Sequence, residues 1–233
     1  MATERYNNIG KGGIVKEGIF VRFPDLSPAS ENNYWANPMH SKLMIVGESS
    51  YFPDSVPSVF KDPEAWYKGG DVQHLIPLSD DPEKPKKYIN LVNNWKTETE
   101  HVDRLLNSLK EVSKMDIKTI YTEAMYYNYF LRPATDIKGN QSFKKDCQSI
   151  DRDVAGTALC EILELDKPDI VIIASKYAYD EFQKYITKTK YVPKTRIEFV
   201  YHPTSHFQNW YKNVNSKQKF ERLLKEYWIK GNK

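Results

Sequence analysis

The chain has 233 residues, 40% hydrophobic and 28% charged, with a formal net charge of +3. That is enough to bury the core of one large domain, and no apolar run approaches the roughly 20 residues that span a bilayer. Two cysteines, Cys147 and Cys160, are too few for a disulfide scaffold or a four-thiolate metal or iron–sulfur centre, and "MATERYNNIGKGG" has no apolar signal core, so the expected setting is cytoplasmic.

In chain order, "EGIFVRFP" (17–24) reads as a further strand or an extended wrap. "KLMIVG" (42–47) is a nearly continuous apolar run, the pattern of a parallel strand covered on both faces. Residues 67–87, "YKGGDVQHLIPLSDDPEKPKK", are rich in Gly, Pro and charge and read as a surface insertion within a single domain spanning 1–233. "NLVNNWKTETEHVDRLLNSLKEVSK" then places Trp95, Val102, Leu105, Leu106 and Leu109 on one helical face. "IKTIYTEAMY" (117–126) reads as the second strand, and "DRDVAGTALCEILEL" as a helix burying Val154, Ala158, Leu159, Ile162 and Leu163. "PDIVIIAS" (168–175) and "RIEFVYH" (196–202) are the third and fourth strands, with helical patterns in "SKYAYDEFQKYI" and "SKQKFERLLKEYWI". Alternation of strand and helix predicts an α/β fold: a three-layer α/β/α sandwich around a short, mainly parallel four-stranded sheet.

In open parallel sheets ligands bind beyond the carboxyl ends of the strands. The residues that follow the four runs are therefore the candidates: Gly47, Glu48, Ser49, Ser50 and Tyr51; Asn128, Tyr129, Phe130 and Arg132; Ser175, Lys176 and Tyr177; His202, Pro203, Thr204, Ser205 and His206. One rim would gather an acid, an amide, two histidines and several aromatics. Each also has an ordinary structural role open to it, such as Glu48 capping a helix or His202 holding the extended geometry that precedes a proline. Charge is uneven as well. From Glu181 to Lys233 there are twelve Lys or Arg against four Glu, interleaved with Tyr, Phe and Trp, a mixture suited to phosphates and stacked bases and equally to a solvated helical surface.

The order "VGESSYFPD", "YYNYFLRP", a helix leading to "PDIVIIAS", then "YHPTSHF" resembles the uracil-DNA glycosylase superfamily over about Lys42 to Gln208. The resemblance implies a monomeric enzyme without a cofactor that flips a damaged base from DNA and hydrolyses its N-glycosidic bond. Bond breaking leaves positive charge on the sugar and negative charge on the departing base, so a carboxylate favours the cation and a neutral histidine the anion. By position, the carboxylate is Glu48 or Asp54, the histidine His202, and the base-reading amide Asn128. Tyr51 or Phe60 would stack on the base, with Gly47 and Ser49 lining its pocket. Thr204, Ser205 and His206 would meet the DNA groove, and Arg132, Lys212, Lys217 and Lys219 its phosphates. Ser49 stands where the best-known branch has Asp, whereas Glu48 agrees with the acid of a branch whose first motif is "GEAPG". That branch often carries an iron–sulfur cluster, which two cysteines cannot hold.

Three rival readings use the same residues. A non-catalytic nucleic-acid or nucleotide binder would keep the fold without the chemistry. A serine esterase of the "GDS" type would use Ser49 as nucleophile, His202 as base and Asn128 at the oxyanion, but Phe199 stands where that family has the Asp that orients its histidine. A metal held by His202 and His206 would need a helix that Pro203 interrupts.

Overall fold

The apolar runs and the amphipathic segments between them become, in a computed structural model, strands and helices of one α/β assembly. The structure describes residues 2–29, 34, 40–51, 61–69, 100–135, 143–202, 210–211 and 215–229. In chain order the elements are α1 (Ala2–Arg5), α2 (Ile19–Arg22), β1 (Leu43–Tyr51), α3 (Pro63–Lys68), α4 (Glu100–Ser113), α5 (Ile117–Glu123), β2 (Ala124–Ala134), α6 (Ser149–Asp166), β3 (Ile170–Ile173), α7 (Lys176–Thr189), β4 (Arg196–Phe199) and α8 (Ser216–Leu223), the last continued by a π-helical stretch, Leu224–Ile229. Among the described residues the sheet has four strands in the order β2-β1-β3-β4, all parallel and flanked by helices, as a three-layer α/β/α sandwich requires.

Leu43 to Val46 and Ile170 to Ile173 are completely buried, which is why their sequences are unbroken apolar runs rather than alternating ones. The outer edge of β2 is closed by a short antiparallel bridge from Ala29 to Tyr126, so it offers no open ladder to another chain there. Helix α6 buries Val154, Ala158, Leu159, Ile162 and Leu163, and α4 buries Leu105, Leu106 and Leu109, the faces that the periodicity predicts. Trp95 lies outside the described residues, as does most of the expected insertion; Tyr67 and Lys68 end α3 and Gly69 caps it, with 70–87 not described.

Two elements differ from the sequence reading. Residues 117–123, expected as strand, are helix α5. The Asp116 side chain accepts from the Thr119 amide at 2.8 Å, and Ile117, Ile120 and Tyr121 share the buried side at spacings of three and four. The cap overrides the β-branched composition. The second strand consequently starts at Ala124 and runs through the whole of "YYNYFLRPA". Residues 17–24, expected as strand or extended wrap, make the single helical turn α2 followed by a 3-10 turn, Pro24–Leu26.

The N-terminal segment is fastened to the end of α6 by a buried acid. Asp166 accepts from Arg5 Nε at 2.8 Å and from the Tyr6 hydroxyl at 2.9 Å. Burial raises the Asp166 carboxyl above its ordinary value of 3.8, outweighing Arg5 and Tyr6, which pull it down. The folded chain thus keeps a proton at pH values where the unfolded chain has released it. The contribution of this group is most favourable below pH 3.8 and declines as pH rises through the raised folded value. Asp166→Asn should therefore flatten this part of the pH dependence: as pH rises above 4 the wild-type urea midpoint falls relative to that of the variant. Equal slopes for the two proteins would remove Asp166 as the cause.

Candidate functional site

The strand order puts a switch point between β1 and β3, because the chain leaves β1 toward β2 on one side and returns to β3 on the other. Connections diverge there, and in open parallel sheets the carboxyl ends of two such strands flank the ligand crevice. Glu48 lies in the last part of β1, and Ser175 follows β3 after a single residue, Ala174. The Ser175 hydroxyl donates to Glu48 Oε2 at 2.5 Å, across the switch point. Glu48 Oε1 accepts from the Phe143 amide at 2.8 Å, so each carboxylate oxygen is engaged. Ser175 is also the N-cap of α7, its Oγ accepting from the Ala178 amide at 3.1 Å.

One residue earlier, Gly47 pairs with Asn128 of β2. A Cβ at position 47 would collide with the Tyr126 hydroxyl and with Asn128 Oδ1, so glycine is needed for close approach and not for a turn. Asn128 is 1% exposed; its Nδ2 donates to Ser50 Oγ at 3.3 Å, while Oδ1 has no hydrogen-bond donor among the described residues. Leaving a buried acceptor unpaired costs about 1–3 kcal/mol, a condition that Asn128 shares with the buried Tyr127 and Tyr129 hydroxyls. Because the second strand runs on to Ala134, past the expected end at 126, Asn128 lies within β2, level with Gly47, rather than on a loop beyond the strand.

Beside the crevice runs a column of rings. Phe130 stacks on Phe143 at 4.5 Å and on Tyr177 at 5.4 Å. The same loop that presents the Phe143 amide is fixed from beneath by Arg132. Arg132 was expected to contact DNA; instead it is fully buried, so no phosphate reaches it in this fold. Its Nε and Nη2 bind Asp151 at 2.9 and 2.8 Å, Nη2 also donates to the Asp146 carbonyl at 2.7 Å, and the guanidinium lies 4.9 Å from the Phe143 ring centre. Asp151 in turn accepts from the Gln148 amide in a capping box that starts α6. A cation with this many partners at β2's end is a structural hub.

The other candidates are distributed as follows. His202 is half-buried, two residues past Val200, whose amide bonds Ile173 of β3; it therefore lies at the same end of the sheet as Glu48, on the opposite flank of β3. Ser49 is only 6% exposed and sits inside β1 opposite Phe130, without the exposed strand-to-helix turn that an esterase nucleophile requires. Tyr51 ends β1, its backbone level with Ala134. Asp54, Phe60, Thr204, Ser205, His206 and Lys212 lie outside the described residues. Lys217, expected at phosphates, is tied to Glu111 at 2.8 Å and to Glu221 at 2.5 Å. Lys219 is tied to Glu198 at 3.2 Å and to the Phe199 carbonyl at 2.7 Å, so any phosphate there would compete with protein acceptors.

A separate groove of about 320 Å³ runs between α6 and α7, lined by Arg152, Asp153, Glu181, Lys184 and Lys188. Its charges pair with one another, Arg152 and Lys184 with Glu181 and Lys188 with Asp153, and none of the crevice residues lines it. Among the described residues no cluster of three His, Cys, Asp or Glu side chains is placed to hold a metal, and no helix is long and apolar enough to cross a membrane.

Two contributors carried no role in the sequence reading. Ser175 was visible as a small hydroxyl residue after an apolar run, the signature of an N-cap, but its bond to Glu48 spans 127 positions. The Phe143 amide has no sequence signature, because any residue but proline supplies the same donor. Neither protein-family models nor curated proteins give a match to this chain.

Proposed function

We propose that the protein is a DNA glycosylase-like hydrolase that receives an extruded base, uracil foremost, at the β1/β3 crevice and hydrolyses its N-glycosidic bond. The observation that carries this reading is Asn128: a buried amide with an unpaired acceptor, packed against Gly47, one residue from the crevice carboxylate. A ring N–H such as that of uracil supplies the missing donor, and an amide acceptor distinguishes it from a ring nitrogen that lacks hydrogen. Asn128 is 1% exposed, so base entry requires the crevice to open.

Glu48 is the carboxylate that favours the developing sugar cation and orients water, with Asp54 as the second candidate. His202 stabilises the departing base anion, as does any backbone N–H that faces the base. Tyr51 or Phe60 stacks on the ring. Lys217 and Lys219 meet the phosphates only by exchanging their partners Glu111, Glu221 and Glu198 for them. The engagement of both Glu48 oxygens by Phe143 and Ser175 favours a second reading, a binder that keeps the pocket and lacks turnover.

The deciding experiment is incubation with uracil-containing single- and double-stranded oligonucleotides, followed by alkaline cleavage at abasic sites. Strand breaks at the uracil position are expected. Intact strands with uracil, hypoxanthine and xanthine alike would discard the hydrolase and leave the binder.

A further inference from the structure

We propose that Ser175 is a positioning residue for Glu48, acting across the β1/β3 crevice as the second jaw of a clamp whose first jaw is the Phe143 amide. The inference rests on the reading of Glu48 as the acid of the site.

A serine hydroxyl has one proton to give and two lone pairs. In this structure Ser175 Oγ accepts the Ala178 amide of α7 at 3.1 Å, and its proton is directed at Glu48 Oε2, 2.5 Å away. Ser175 is 2% exposed, so water does not compete for either bond. The helix thereby decides which way the hydroxyl donates. Glu48 Oε1 receives the Phe143 amide at 2.8 Å from a loop that Arg132 anchors through the Asp146 carbonyl. A glutamate has three side-chain torsions, and a single bond would leave its carboxylate free to swing. Two donors from two different elements, one on each oxygen, fix both the position and the plane of the group. The role is one of orientation: Ser175 itself touches no substrate.

A plain helix cap would bond Ala178 and nothing more, and the two roles separate experimentally. In Ser175→Ala, amide hydrogen exchange should accelerate at Ala178, whose acceptor is gone, and also tenfold or more at Phe143, because the released carboxylate no longer holds that amide. Ser175→Gly keeps a residue tolerated at an N-cap and removes the proton offered to Glu48, so it should accelerate exchange at Phe143 while α7 beyond its first turn stays protected. Ser175→Thr restores the hydroxyl and should return both amides toward wild type. On uracil-containing single strands the Ala and Gly variants should lose at least tenfold in kcat at nearly unchanged KM, with Thr recovering most of it. Unchanged Phe143 exchange in both the Ala and Gly variants overturns the clamp. Accelerated exchange at Phe143 in a protein that cleaves no base supports the clamp while removing the hydrolase reading, so the two failures are told apart.

Discussion

Arg132→Met is expected to lower folding stability by about 3–5 kcal/mol, read as a fall in the urea midpoint at neutral pH. Arg132 and Asp151 are both fully buried, and the guanidinium meets the carboxylate through two parallel bonds of 2.9 and 2.8 Å. Methionine matches much of the arginine stem in volume but leaves the Asp151 charge without its cation in a site closed to water. The Gln148 amide still donates to Asp151 and the Tyr67 hydroxyl lies beside it, yet neutral donors do not offset a buried charge. The loss extends beyond the pair, because the Asp146 carbonyl also loses its donor and the Phe143 ring loses the cation beside it. If the ion pair itself is the cause, Arg132→Met combined with Asp151→Leu should be more stable than Arg132→Met alone, since the orphaned charge goes too. A double variant as unstable as the single would shift the blame to the Asp146 and Phe143 contacts. A DNA-contacting Arg132 predicts the opposite pattern: normal stability and weakened oligonucleotide binding.

Glu48→Gln is the second change of large effect. The amide has nearly the shape of the carboxylate and can still accept the Phe143 N–H, so the fold should hold. It carries no charge to set against a sugar cation. Turnover on a uracil oligonucleotide is expected to drop by about 10²–10³, a loss comparable with removing one electrostatic partner from a transition state. Binding of the same oligonucleotide should change by less than about threefold, because the charge matters to the transition state more than to the ground state. Turnover within a factor of two of wild type would transfer the carboxylate role to Asp54. Loss of binding and turnover together would make Glu48 a structural link between β1, α7 and the Phe143 loop.

Much of the architecture was legible before any coordinates. "KLMIVG" and "PDIVIIAS" are too apolar, too short and too regularly bounded to be anything but strands covered on both faces, and the helices announce themselves by spacing at three and four. The Asp116 cap shows where such reading breaks down. "IKTIYTEAMY" is β-branched and aromatic throughout, and composition favours strand. Asp116 bonding the Thr119 amide starts a helix whose Ile117, Ile120 and Tyr121 then find a buried side. The extension of β2 to Ala134, in register with β1, is what carries Asn128 from a loop beyond the sheet to a position level with Gly47.

The sequence by itself determined the fold class and the Glu48 end of β1 as the place to look, because apolar periodicity and strand-end position are local properties of the chain. Tertiary structure alone decided three further matters. It turned Arg132 inward to Asp151, brought Ser175 and the Phe143 amide to the two oxygens of Glu48, and left Asn128 Oδ1 unpaired. Each depends on groups from separate elements meeting in a water-excluded place, where a charge must find its counter-charge and every donor is counted. No window of neighbouring residues contains that information.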